Sequence, residues 1–186
     1  MRYMLFLQNS FYQPKDSLWL KNKARELSST SGITIRDARV SRFHIEYDIS
    51  IPDYDKIVKV SHMFRDIGDY SSSYHVIEKR REKLEAISEA KSYFNEEKYW
   101  IAHEILESIW KESTGVEKEL IGGIILICAA FVHYQKAEEE ICISILGRAL
   151  KKLTNARGKY YDIDVDKIKD RICDIIANGK VTGFRI

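Results

Sequence analysis

The chain has 186 residues, with 30 Lys and Arg against 28 Asp and Glu, a formal charge of +2. Hydrophobic residues make up 45% and charged residues 31%, with only nine Gly and two Pro, which excludes a disordered, collagenous or low-complexity chain. A chain of this size buries a core without disulfide or metal staples, and its charge balance gives no bulk reason to expect nucleic acid or an anionic membrane as partner.

Residues 1–78 alternate between strand and helix signals. The run 2–8 is short and rich in β-formers, closing on polar Gln8, Asn9 and Ser10. Pro14 opens a helix with Asp16 or Ser17 as its N-cap and Leu18, Leu20, Ala24 and Leu27 on its apolar side. From Ile33 to Ile51 the apolar residues recur every second position. Their parity shifts twice, which places a bulge and a turn near Ser41-Arg42 between two strands. Phe43, Ile45, Tyr47, Ile49 and Ile51 share a parity that suits a core face, and Glu46 and Asp48 take the opposite one. Pro52-Asp53 starts a second helix carrying Ile57, Val60, Phe64 and Ile67; Gly68 stops it, and 74–77 offers a last strand. The order βαββαβ in this length is that of a ferredoxin-like sandwich.

From residue 79 the apolar period becomes 3.6 and stays there. Helices are expected over about 79–94, with Leu84, Ile87 and Ala90 inward, then 99–111, 116–137 and 139–156. A last helix is capped by Asp164 or Asp166 and ends at Asn178-Gly179. Short links between helices imply an antiparallel bundle. The fold class is therefore α+β: a ferredoxin-like domain over 1–78, followed by an all-α antiparallel helical bundle over 79–186.

Three cysteines, Cys128, Cys142 and Cys173, have no CxxC spacing and sit in apolar helical contexts. They read as buried hydrophobes in a reducing cytoplasm. The longest uncharged run, 120–135, contains His133 and two glycines and is shorter than the roughly 20 apolar residues of a membrane span. A cytoplasmic protein without a membrane partner is expected. The scarcity of Asn and Gln beside plentiful Lys, Glu and Ile resembles a thermophile's composition.

In the second helix of the bundle, His103 and Glu107 lie one turn apart at the edge of the apolar face, and Glu104 points towards water with Lys111. The third helix is apolar almost all round, with Gly122, Ala129 and His133 on one stripe. If that stripe packs on the second helix, His133 meets His103 and Glu107. Two imidazoles and a carboxylate suit a divalent transition metal such as zinc, with a position left open. The same residues also suit a proton-handling or small-ligand site, or a structural polar network that fixes helix register. Trp110, Trp100 and Tyr99 are candidates for the pocket wall and Glu104 for an outer partner.

The stretch Phe94-Asn95-Glu96-Glu97-Lys98-Tyr99-Trp100-Ile101-Ala102-His103-Glu104-Ile105-Leu106-Glu107-Ser108-Ile109-Trp110, with the later Ala129-Ala130-Phe131-Val132-His133-Tyr134-Gln135, resembles domain-of-unknown-function family 309 over roughly 80–156. That family is marked by a histidine, Glu and Trp four and seven residues on, a glutamine, and a distant histidine. By position the resemblance points to His103, Glu107, Trp110 and His133. Where the glutamine falls, this chain has Leu120-Ile121-Gly122-Gly123. The resemblance implies a compact helical fold and no particular reaction.

The leading expectation is a metal- or ligand-binding helical domain using His103, Glu107 and His133, hydrolytic if the open metal position activates water. The rival is a scaffolding module that forms a homo-oligomer through the exposed sheet face or edge of the N-terminal half. Nucleic acid is the least expected partner: Glu46 and Asp48 would repel phosphate, and the basic run at Lys79-Arg80-Arg81 is interleaved with acids.

Overall fold

In the computed structural model, which describes residues 1–53 and 56–186, the first apolar run forms β1 (Arg2–Gln8), buried from Tyr3 through Leu7. A 3-10 turn at Pro14–Asp16 leads into α1 (Ser17–Leu27), where Leu20 and Ala24 face inward at a spacing of four. Leu18, expected on that side, is 67% exposed, because two positions on a helix put it nearly opposite Leu20. The period-two region becomes β2 (Thr34–Val40) and β3 (His44–Ser50), joined at 41–43. The expected parity break is a bulge: the β2–β3 register shifts between Ile35 and Asp37.

Phe43 was expected on the core face but lies in the turn, 55% exposed. The register ends at Val40 opposite Ile45 and at Gln8 opposite His44, so alternation no longer binds residue 43. The second helix is described from Lys56 as α2 (Lys56–Met63); its expected start at Pro52-Asp53 runs into 54–55, outside the described residues. The last strand, β4 (Tyr70–His75), begins earlier than the hydrophobic run suggested, because pairing with β1 recruits its serines while Ile77 stays exposed.

The four strands form an antiparallel sheet in the order β2-β3-β1-β4. On one face Leu5, Leu7, Ile45, Tyr47 and Ile49 pack with Leu20, Ala24, Ile57, Val60 and Phe64 into a single core. The opposite face carries Glu46 and Asp48 as expected, but it is buried, not exposed: Glu46 is 0%, Arg39 3% and Asp48 4% exposed. Its charges are matched. Arg2 donates to both Asp48 carboxylate oxygens at 3.0 and 2.7 Å, and Arg39 Nε donates to Glu46 at 2.6 Å. Burial pushes the Glu46 carboxyl above its ordinary range, against the pull of Arg39.

The chain divides into two compact units, Met1–Glu78 with Gln135–Ala137, and Lys79–Tyr134 with Glu138–Ile186. The second holds α3 (Lys83–Asn95), α4 (Tyr99–Glu112), α5 (Gly115–Tyr134) and α6 (Glu139–Lys152), each packed on the next. A small hairpin of β5 (Lys159–Tyr160) and β6 (Ile163–Asp164), too short to register as a pattern, precedes α7 (Val165–Asn178). Asp164 caps α7 by accepting from Lys167 N at 3.1 Å, and Gly179 ends it with φ 63°.

Leu84, expected inward on α3, is 63% exposed; Ala86, Ile87, Ala90 and Phe94 form the buried stripe. Phe94, Tyr99, Phe131 and Phe184 make one aromatic cluster with ring centroids 4.9 to 5.9 Å apart. Among the described residues no helix is long and apolar enough to cross a membrane. Cys128 and Cys142 are buried as expected, but Cys173 is exposed on the outer side of α7.

Candidate metal centre

The polar seam on α4 follows from its sequence. Ile101, Ala102, Ile105, Leu106 and Ile109 are buried along one face, and the residues flanking that face at the same height stand at the boundary with water. His103, Glu104 and Glu107 are all half-buried, and one ligand atom from each lies within 4.8 Å of the other two. His103 Nδ1 is 3.4 Å from Glu104 Oε1. Donors bonded to one zinc ion at about 2.1 Å sit about 3.4 Å apart around a tetrahedron. The imidazole and its neighbour already have that separation, and a Glu107 oxygen lies within 4.8 Å of both donor atoms.

Glu104 was expected to point to water beside Lys111. Successive helical residues diverge by about 100°, but two long side chains leaving adjacent Cα atoms still reach a common point. Wheel angles locate backbone directions, not carboxylate oxygens, so the sequence signal was the His-Glu dipeptide itself.

His133, in the last turn of α5, is bonded through Nδ1 to Glu138. The same pair is joined along the backbone, where Glu138 N donates to His133 O at 3.1 Å. They brace a tight turn in which Ala137 takes φ 60°. Among the described residues the gathered donors are His103, Glu104 and Glu107, and His133 is not one of them. Glu138 had no signal beyond its position five residues after His133.

Trp110 Nε1 donates to Lys118 O at 3.1 Å, and the Lys118 ammonium lies 4.6 Å from the indole ring centre. The indole fits because Gly122 has no side chain: a Cβ there would come within 3.2 Å of Nε1. Gly122 leaves space for the indole, and the Lys118 carbonyl one turn earlier takes its proton. Trp100 is half-buried at the start of α4, and Tyr99 is buried in the aromatic cluster.

Residues 87–145 match DUF309, described as a domain of unknown function. The DUF309 match runs from within α3 to within α6, so it contains His103, Glu104, Glu107, Trp110, His133 and Glu138. It falls in the C-terminal part, where the resemblance was expected. No curated protein and no solved structure matches the chain.

Proposed function

We propose that the helical region is a divalent-metal-binding module whose donors are His103, Glu104 and Glu107. The observation that carries this reading is one imidazole and two carboxylates of α4 gathered within 4.8 Å. Two carboxylates three residues apart on a helix repel each other. A divalent cation removes that repulsion, and the imidazole adds a donor suited to zinc and its neighbours. Glu104 serves here as third donor in place of His133, which holds the α5–α6 turn with Glu138.

Three protein donors leave a coordination position for water or a ligand, the arrangement of hydrolytic zinc sites. Hydrolysis is the reaction class this reading carries, with Trp110 and Trp100 walling the approach. The test is elemental analysis of the purified protein. Near-stoichiometric zinc or another transition metal, lost in His103→Ala while the metal-stripped wild type and the variant melt alike, supports it. Protein that neither carries metal nor takes up added zinc, with His103→Ala changing only the melting temperature, overturns it.

A second reading, a scaffolding module that pairs with another copy, is favoured by β4. This outer strand is exposed at Tyr70, Ser71 and His75 and has none of the lysines or prolines that usually protect an edge. A monomer by sedimentation at high protein concentration removes it. We also read 1–78 as a ferredoxin-like domain and 79–186 as a separate helical one. The element order, the strand order β2-β3-β1-β4 and the packing of both helices in one core support the first assignment. Three free cysteines support a reducing, cytoplasmic setting.

A further inference from the structure

Beyond Gly179, which ends α7 at φ 63°, residues 180–186 run along the helical unit without helix or strand. Three of their side chains turn inward: Val181 is 4% exposed, and Phe184 and Ile186 are half-buried. Thr182, Gly183 and Arg185 are exposed. The Phe184 ring enters the aromatic cluster, with its centroid 5.9 Å from that of Phe94 and 5.4 Å from that of Phe131. It meets Phe131 edge-on, at 77°.

Asn95, the last residue of α3, clasps the backbone beside that ring. Its Oδ1 accepts from Ile186 N at 3.0 Å, and its Nδ2 donates to Ile186 O at 3.3 Å. A carboxamide that bonds both the N–H and the C=O of one residue does what a neighbouring strand would do. It grips backbone of any sequence, while the ring contacts two positions earlier choose the side chain. Extended peptides are recognised through this division: main-chain hydrogen bonds hold, and side-chain pockets select.

The segment is lightly held. Among the described residues, 180–186 make no backbone–backbone hydrogen bond, and Phe184 and Ile186 keep part of their surface in water. Segments with few buried contacts and no backbone ladder open locally, at a small fraction of the free energy of global unfolding. Gly179 supplies the hinge, because its left-handed backbone carries no side chain to oppose a swing. Opening there uncovers Phe94, Phe131 and the Asn95 carboxamide and leaves α3 to α6 in place.

We propose that Phe94, Phe131 and Asn95 form a docking seat for an extended peptide segment of a partner protein, and that 180–186 is a strap filling the seat until that segment displaces it. The strap shows the chemistry the seat accepts: an aromatic residue, followed two positions on by a branched aliphatic one whose backbone stays free to pair. A short tether holds the strap at an effective concentration in the millimolar range. The identical segment of a second copy therefore has no advantage over it. A foreign segment of the same pattern displaces it by filling the seat more fully than the half-buried Phe184 and Ile186 do.

The test is fluorescence anisotropy of a labelled peptide with the sequence of 179–186 against the full chain. Phe184→Ala weakens the competing strap, so it should bind the peptide at least about tenfold more tightly than the wild type does. Adding Asn95→Ala to that variant should abolish the gain, and so should replacing the peptide's phenylalanine by alanine; circular dichroism checks that both variants fold. Hydrogen exchange of the wild type needs no variant: the Ile186 amide should exchange through local opening while Ile127 and Cys128 in α5 stay protected. Absence of peptide binding to Phe184→Ala, binding indifferent to Asn95, or an Ile186 amide as slow as those of α5 overturns the proposal. So do dimers in sedimentation that Phe184→Ala dissolves, since the seat then belongs to a second copy.

Discussion

Gly123 of α5 lies directly under Leu153, so that a Cβ at 123 would stand 2.6 Å from Leu153 Cδ2 and 2.7 Å from its Cγ. Leu153 is fully buried. Its neighbour Gly122 meets the Trp110 indole instead, at the looser 3.2 Å. Two adjacent glycines in the central helix thus receive two different neighbours, one from the end of α6 and one from α4.

Gly123→Ala should therefore lower stability. Overpacking of a buried contact costs about 1–3 kcal/mol, against about 1 kcal/mol gained from helix propensity. Gly122→Ala should be much milder, because a shift of a few tenths of an ångström in the indole suffices. Urea denaturation of the two variants compares them directly; equal midpoints would contradict the packing described.

Asp37 gives the N-terminal unit an acid-sensitive contact. Burial by itself would raise its carboxyl, yet Arg39, Lys136 and Lys21 together hold it below the ordinary 3.8. Lys136 reaches Asp37 Oδ2 at 3.4 Å and Lys21 reaches Oδ1 at 3.4 Å. Because the folded value lies below the unfolded one, the contribution is complete above 3.8 and disappears as pH falls through the folded value. Asp37→Asn should lose about 1–2 kcal/mol at pH 7, and its deficit against the wild type should close in acid. A deficit that persists unchanged at pH 2 would rule this out.

The three thiols should react unequally. Burial pushes Cys142 up to about 12 and raises Cys128 further still, whereas Cys173 is exposed. A thiol reagent at pH 8 should label one cysteine in the native protein, identified as Cys173 by peptide mapping, and three after denaturation. Fast native labelling of Cys128 would contradict the buried α5 face.

Much of the fold was legible because local chemistry and tertiary structure agreed. The parity break between Ile35 and Ala38 is a bulge, Gly68 ends the turn after α2, and Asp164 and Gly179 bracket α7. Legibility failed where partners decide. Phe43 continues an alternating pattern, but the register gives it no opposite residue. The serines of β4 have no hydrophobic signal, and β1 recruits them through its hydrogen bonds. At the candidate site, the i, i+4 spacing of His103 and Glu107 was visible, since helix geometry alone joins them. The approach of Glu104 to His103 and the pairing of Glu138 with His133 were not, because they depend on where the ends of long side chains come to rest.

The composition of the donor set is best tested by zinc titration calorimetry of the wild type, Glu104→Gln and His133→Ala, each shown folded by circular dichroism. With Glu104 as a ligand, Glu104→Gln should weaken binding at least about tenfold, and His133→Ala should leave the affinity unchanged. Loss of zinc binding in His133→Ala with full affinity in Glu104→Gln would contradict the single-helix site on α4.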